Sequence, residues 1–150
     1  MFVIKKFNEL SNKELYQILQ LRNKVFVVEQ NCVYQDADGK DYDAYHIFIK
    51  ENDKIIAYTR VFKPGDYFDQ ASIGRVVVDP KYRGNFLGKK IMQKSMDFVF
   101  YELNFYEILI SAQVYLQKFY EDLGFKKISD KYLEDGIPHI KMLSTKQNLP

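Results

Sequence analysis

Tryptophan is absent from this chain, cysteine occurs once and histidine twice. A single thiol, Cys32, forbids an intrachain disulfide and fits a reducing compartment. One cysteine and two scattered histidines, His46 and His139, make no spaced ligand set, so no metal centre is expected. Charge of one sign is lacking too. The formal net charge is +2, and no basic block or basic-aromatic stripe appears, which argues against a nucleic-acid partner. No apolar run approaches the roughly 18 residues of a membrane span, and the opening MFVIKKFNEL lacks the apolar core of a signal peptide. The expectation is a cytoplasmic protein with no membrane partner.

What is present suits one domain over residues 1–150, as a monomer or homodimer, with an apolar fraction of 47%. Twelve tyrosines and twelve phenylalanines exceed what a small core needs, which hints at an aromatic-walled cleft. The most informative stretch is IGRVVVDPKYRGNFLGKKIM, residues 73–92. Val76 to Val78 read as a β-branched strand, Asp79-Pro80 stops it, and a basic glycine-containing turn leads into a helix. A strand, a tight turn and a helix start beside Arg83 and Lys89 make an anion site, because first-turn N–H groups lack intrahelical partners. An ordinary strand–helix junction with a glycine is the plain alternative. A nucleotide-triphosphate loop is excluded, since Gly88 is followed by Lys89-Lys90 with no hydroxyl for magnesium. The dinucleotide fingerprint GxGxxG is missing as well.

Taken in order, Phe2 to Phe7 is an expected edge strand. Ser11 and Glu14 form a capping box for a helix running to about Val27. Its apolar period fails at Val25-Phe26-Val27-Val28, which is apolar all round. Tyr45–Ile49 and Lys54–Phe62 read as a hairpin, and Ala71–Val78 as the central strand. A helix over about 87–101, a strand over Phe105–Ser111, a short helix over Val114–Asp122 capped by Gly124, and strands at Phe125–Ile128 and His139–Leu143 complete the order. Gln147 to Pro150 is expected to fray. The run Asp36-Ala37-Asp38-Gly39-Lys40-Asp41-Tyr42-Asp43 fails the calcium-loop template, because Lys40 stands at the fifth position and Asp41 at the sixth. It reads either as a solvated turn or as an acidic lip for a cationic ligand.

Arg83 to Gly88, R-G-N-F-L-G, resembles the pyrophosphate loop [Q/R]-x-x-G-x-[G/A] of the GCN5-related N-acetyltransferases, with Phe86 at the central glycine. LRNKVFVVEQNCVYQDADGKD (21–41), IGRVVV (73–78), FYEDLGF (119–125) and YLEDGIPHIKM (132–142) resemble that family's ElaA-like branch, and they span nearly the whole chain. The resemblance implies the acyl-CoA N-acyltransferase fold, an α+β arrangement around a mixed, mostly antiparallel sheet splayed between strands 4 and 5. It further implies acetyl-CoA as cofactor, with coenzyme A as product, and an amine on a small molecule or peptide as acceptor. Val76, Val77 and Val78 would face the pantetheine; Arg83, Gly84, Asn85, Phe86, Leu87, Gly88 and Lys89 would hold the diphosphate. Tyr120, four residues before Gly124, would protonate the leaving thiolate.

Several readings remain open at this stage. Glu29, His46 and His139 are the candidate bases, with Glu29 preferred. Glu29, His46, Arg75, Gln113, Asp135 and His139 are expected at the acceptor end. His46 is also read as a packed strand histidine, and Arg75 equally as an ion pair. Phe86 is expected to keep ordinary helical angles, with its ring packed on the helix. A coenzyme-A sensor without catalysis and a phosphometabolite enzyme of another class are the alternatives to a transferase.

Overall fold

The computed structural model describes residues 1–146, so the expected fraying of 147–150 lies outside the described residues. Eight strands form one splayed, mixed arrangement. Strands β1 (Phe2–Lys6), β2 (Tyr45–Glu51), β3 (Lys54–Phe62) and β4 (Ser72–Val78) pair antiparallel in that order. Beyond β4, β5 (Glu107–Gln113) pairs with β8 (Ile137–Thr145), and β8 takes β6 (Lys126–Lys127) and β7 (Tyr132–Glu134) on its other side. Among the described residues the two halves pair through one isolated parallel bridge, between Ala71 and Ile108, where Leu109 N–H donates to Ala71 O at 2.8 Å. From that vertex β4 and β5 part, as expected for a sheet splayed between its fourth and fifth strands.

Helices cover both faces. Helix α1 (Asn12–Arg22) starts at the anticipated capping box: Ser11 Oγ accepts from Glu14 N–H at 3.0 Å, and Ser11 N–H donates to Glu14 Oε1 at 2.8 Å. Its Ile18 and Leu21 pack with Phe48, Ile55, Tyr58 and Val77. Helix α2 (Leu87–Asp97) buries Ile91, Met92 and Met96 against Ile47, Ile49, Ile108 and Ile110. The alternation along β2 therefore sends Phe48 to one helix and Ile47 and Ile49 to the other. Each such buried side chain contributes about 1.5–3 kcal/mol.

Both helices end in π geometry, at Asn23–Glu29 and Phe98–Glu102. That resolves the failed period at Val25–Val28: the wider turn re-aims successive side chains, leaving Val25 buried while Val28 is exposed. Helix α3 (Gln117–Asp122) follows a 3-10 turn, so the expected helix over 114–122 has two pitches. The hairpin turns have left-handed residues where the register demands them. Glu51 pairs with Lys54 across Asn52 and Asp53 (φ 49° and 64°), and Glu134 with Ile137 across Asp135 and Gly136 (φ 51° and 76°). Two positive φ values in a two-residue loop are the type I′ turn. The strand β7 was not expected from the sequence, which assigns only two strands after α3.

Candidate active site

The splay opens a cleft of about 970 Å³ between β4 and β5, roofed by the loop after α1. At one end lies the turn from β4 to α2. Asp79, 2% exposed, anchors it: its carboxylate accepts from Lys81 N–H at 3.0 Å and lies 3.4 Å from Lys54 Nζ. Gly84 has φ 90°, and Phe86 immediately precedes α2 without any side-chain cap. The first-turn N–H groups of α2 are thus left for a ligand, and the helix dipole favours an anion there. Gly84, Leu87, Gly88 and Lys89 line the cleft. Asn85 instead turns its side chain back, Nδ2 donating to Tyr82 O at 3.3 Å.

Phe86 corrects one expectation. It sits at φ 58°, ψ 23°, in the left-handed region, with its side chain 76% exposed rather than packed. The turn needs that conformation whatever residue occupies it, and the L side chain takes it at a penalty of about 1–2 kcal/mol.

Along the cleft, β4 carries a bulge. Tyr58 pairs with Val77 and Arg60 with Gly74, so Thr59 alone opposes both Arg75 and Val76. Arg75 takes the left-handed conformation (φ 50°). The extra residue bends the strand and frees backbone groups on the cleft edge beside Val76–Val78, all three of which line it. Arg75 lines the cleft but serves as an ion pair, lying 2.8 Å from Asp36 and 3.4 Å from Asp38.

The acidic loop is a second correction. Arg22, fully buried, reaches Asp36 at 2.8 Å and Asp41 at 2.7 Å; Arg60, 1% exposed, grips Asp38 at 2.9 and 3.0 Å and Asp41 at 3.0 Å. Three carboxylates, Asp36, Asp38 and Asp41, meet three guanidiniums in a charge-balanced, largely buried lattice that ties the loop to the sheet, not an open acidic lip. Burial works against ionising Asp38, but Arg60, the Lys40 N–H and Arg75 outweigh it and hold its carboxyl at about 2. His46 belongs to this lattice and not to the acceptor end: fully buried, it contacts Tyr58 Oη at 2.6 Å and Asp41 O at 2.9 Å. Burial also pushes its imidazole down, towards the neutral form.

Glu29 lines the cleft and has a cationic partner there. It ends the π segment at the cleft mouth, where it forms a bidentate pair with Arg83 at 2.7 Å in both contacts. The Arg83 guanidinium holds its carboxyl below the usual range. That pairing ties Glu29 to Arg83, and the lowered carboxyl is the opposite of the shift that favours a general base.

The remaining expected residues do meet in the cleft. Tyr120, 7% exposed, lines it among Phe119, Val78 and Leu87, with ring neighbours Phe119 and Phe125. Among the described residues no group pairs with its hydroxyl, and burial pushes its phenol above the ordinary value. Gln113, Asp135 and His139 line the opposite end, with Ser111, Glu134, Tyr67 and Phe68. The roof closes on this end where Cys32 Sγ lies 3.4 Å from Asp135 O. The aromatic wall expected from composition is built by Tyr34, Tyr67 and Phe68, residues that the sequence does not single out, and Ser111 and Tyr132 escaped the sequence reading. The readable sign for Tyr132 was Asp135-Gly136, a strong hairpin dipeptide that places a strand on its N-terminal side.

The chain matches the acetyltransferase (GNAT) domain over residues 7–146. It is 44% identical over 137 residues to the protein ElaA of Escherichia coli, covering 90% of each chain. A UPF0039 protein of Schizosaccharomyces pombe is 44% identical over 143 residues, 94% of each. The crystal structure of Escherichia coli ElaA superposes with a TM-score of 0.89 at 40% identity, covering 96% of this chain and 98% of that one. An acyl-CoA N-acyltransferase from Pseudomonas aeruginosa gives a TM-score of 0.90 at 38% identity, covering 97% and 99%. Such agreement in sequence and in the splayed sheet places the chain in the GCN5-related N-acetyltransferase family, in its ElaA-like branch.

Proposed function

We propose that this protein transfers the acetyl group of acetyl-CoA directly to a primary amine on a small molecule or an exposed peptide end. The observation that carries this reading is the cleft, which joins an uncapped helix start to a bulged strand edge and a buried, unpaired phenol. The thioester supplies an activated acyl group and a thiolate leaving group. Residues 84–89 and Lys89 Nζ hold the diphosphate through N–H groups and charge, and Arg83 joins them on leaving Glu29. The freed backbone at Val76 faces the acyl oxygen as a hydrogen-bond donor, stabilising charge that develops there. Tyr120 donates a proton to the departing sulfur. A thiol's ordinary pKa is about 8.5 and a phenol's about 10, a gap of only about 2 kcal/mol. Burial raises the phenol further, and the same apolar wall desolvates the thiolate and raises it too.

We place the reaction in the cytoplasm, with the protein as monomer or homodimer. Calorimetry with acetyl-CoA, ATP and NAD, followed by thiol release across an amine panel, tests the assignment. Tight acetyl-CoA binding with amine-dependent thiol release is expected. Binding without release for any amine points to a sensor. Equal affinity for dephosphorylated pantetheine fragments and coenzyme A removes the role given to the loop.

A further inference from the structure

Three strands distant in sequence assemble a proton-accepting group at the acceptor end. Gln113 pairs with His139 in the ladder, and His139 pairs with Tyr132, so these side chains and the flanking Ser111 and Glu134 share one face of the sheet. His139 is 7% exposed and lines the cleft. Its Nδ1 lies 2.7 Å from Ile137 O. A carbonyl only accepts, so Nδ1 carries a hydrogen and, in the neutral ring, Nε2 carries a lone pair. That lone pair lies 3.5 Å from Glu134 Oε2, which is another acceptor. In that neutral ring, two acceptors face one another with no hydrogen between them.

The second carboxylate oxygen is already committed. Ser111 Oγ donates to Glu134 Oε1 at 3.0 Å and is itself bonded to Tyr132 Oη, so the tyrosine must be the donor of that pair. The Tyr132 ring stacks on His139 at an interplanar angle of 28°. Glu134 is therefore held in position with one oxygen free, beside the one lone pair of His139.

A donor with two N–H groups and positive charge satisfies this arrangement, and a primary ammonium is such a donor. Building on the transferase reading, we propose that His139 is the base that deprotonates the acceptor, with Glu134 binding the ammonium and then stabilising the imidazolium. One N–H of R–NH3⁺ points to Nε2 and another to Oε2. The proton on the first passes to Nε2, leaving R–NH2 with its lone pair free. That pair forms the C–N bond as the C–S bond breaks; Tyr120 gives its proton to the departing sulfur, and the second amine proton, lost as the amide forms, passes through solvent to restore the Tyr120 hydroxyl. The imidazolium returns its proton to solvent. Tyr132 and Asp135 on the β7 side, Lys141 over the Tyr132 ring, and Tyr67 and Arg75 on the facing lip are the other ionisable groups around the pair. Arg75 is already paired with Asp36 and Asp38, and among the described residues no guanidinium pairs with Glu134.

Two amines separate a base from a merely structural histidine: a strongly basic alkylamine, protonated at neutral pH, and 2,2,2-trifluoroethylamine, largely unprotonated there. For His139→Gln we expect kcat/KM to fall roughly 10²–10³-fold with the alkylamine and less than about 5-fold with the fluorinated amine. Acetyl-CoA affinity by calorimetry should be unchanged, which also reports that the fold survives. Glu134→Gln, at a half-exposed position, should raise KM for the alkylamine roughly 10-fold and spare the fluorinated amine. Ser111→Ala should repeat that pattern more weakly, and Ser111→Thr, which keeps the hydroxyl, should restore it. Equal losses with both amines, or no loss, in His139→Gln and Glu134→Gln overturn the proposal while the wild-type protein still transfers acetyl groups. A wild-type protein that acetylates neither amine overturns both this proposal and the transferase reading.

Discussion

The two ends of the cleft are built by opposite means. The α2 end works through backbone, with Gly84 and Phe86 in left-handed turns and an uncapped helix start. The β7–β8 end works through side chains, with Ser111, Tyr132, Glu134 and His139 locked by hydrogen bonds across three strands. A backbone site tolerates substitution, because every residue but proline supplies the same N–H. A side-chain site does not, since removing one atom strands its neighbours.

Chemistry between the two ends offers the widest margin. Tyr120→Phe keeps the ring and removes one proton; kcat should fall roughly 10²–10⁴-fold while acetyl-CoA affinity barely moves. A stopped assay for thiol release measures it, and near-normal kcat would assign Tyr120 to the core.

The side-chain lattice beneath the roof should be unforgiving as well. Arg22→Met removes a fully buried guanidinium and leaves Asp36 only Arg75 and Asp41 only Arg60 as cationic partners, so unfolding in urea should show about 3 kcal/mol lost. Acid should reach a related carboxylate. Burial works to raise Glu14, but the Ser11 N–H with Lys5 and Lys50 holds it at about 2. A carboxyl lowered in the folded state contributes stability above its unfolded value, about 4.3, and loses it as pH falls towards 2. Thermal midpoints should therefore decline between about pH 4.5 and 2, and Glu14→Gln should flatten that decline from a lower starting value.

Backbone recognition should give the smaller responses. Glu29→Gln releases Arg83 from an exposed pair worth up to about 1 kcal/mol, so acetyl-CoA should bind as much as about fivefold tighter at low salt. Weaker binding would mean that Glu29 contacts the ligand itself. Phe86→Gly relieves left-handed strain of about 1–2 kcal/mol, offset by the greater freedom of an unfolded glycine. Its melting temperature should shift by only a few degrees, with affinity within about threefold. A tenfold loss of affinity would give the ring a place against the ligand.

The same contrast governs what can be read from sequence. The α2 end is contiguous, R-G-N-F-L-G after a β-branched run, and it is legible because turn, loop and helix start follow one another. The left-handed state of Phe86 was not, since residue identity argues against it and only the closed turn imposes it. The acceptor end is written in pieces at 111, 132, 134 and 139, and becomes a site only through the registers of β5 and β7 with β8. His46 is the packed strand histidine that the sequence also offered, whereas the Asp36–Asp41 run misled for a related reason. Charge looks free in a sequence until the partners that neutralise it, Arg22, Arg60 and Arg75, are brought in by other elements.

The isolated bridge at Ala71 and Ile108 has a consequence for solubility. Parting there leaves β4 and β5 each with a free edge, the kind of surface on which strands from other molecules add. The outer margins are defended in the familiar way, by Lys5 and Lys6 on β1 and Lys126 and Lys127 on β6. The inner margins, SIGRVVV and EILISAQ, carry no lysine. They face one another across the cleft beneath the 29–35 loop, whose Cys32 meets the β7–β8 turn and whose Glu29 meets Arg83. The molecule keeps its two adhesive edges by turning them towards each other, where the gap admits a narrow ligand and excludes a foreign strand.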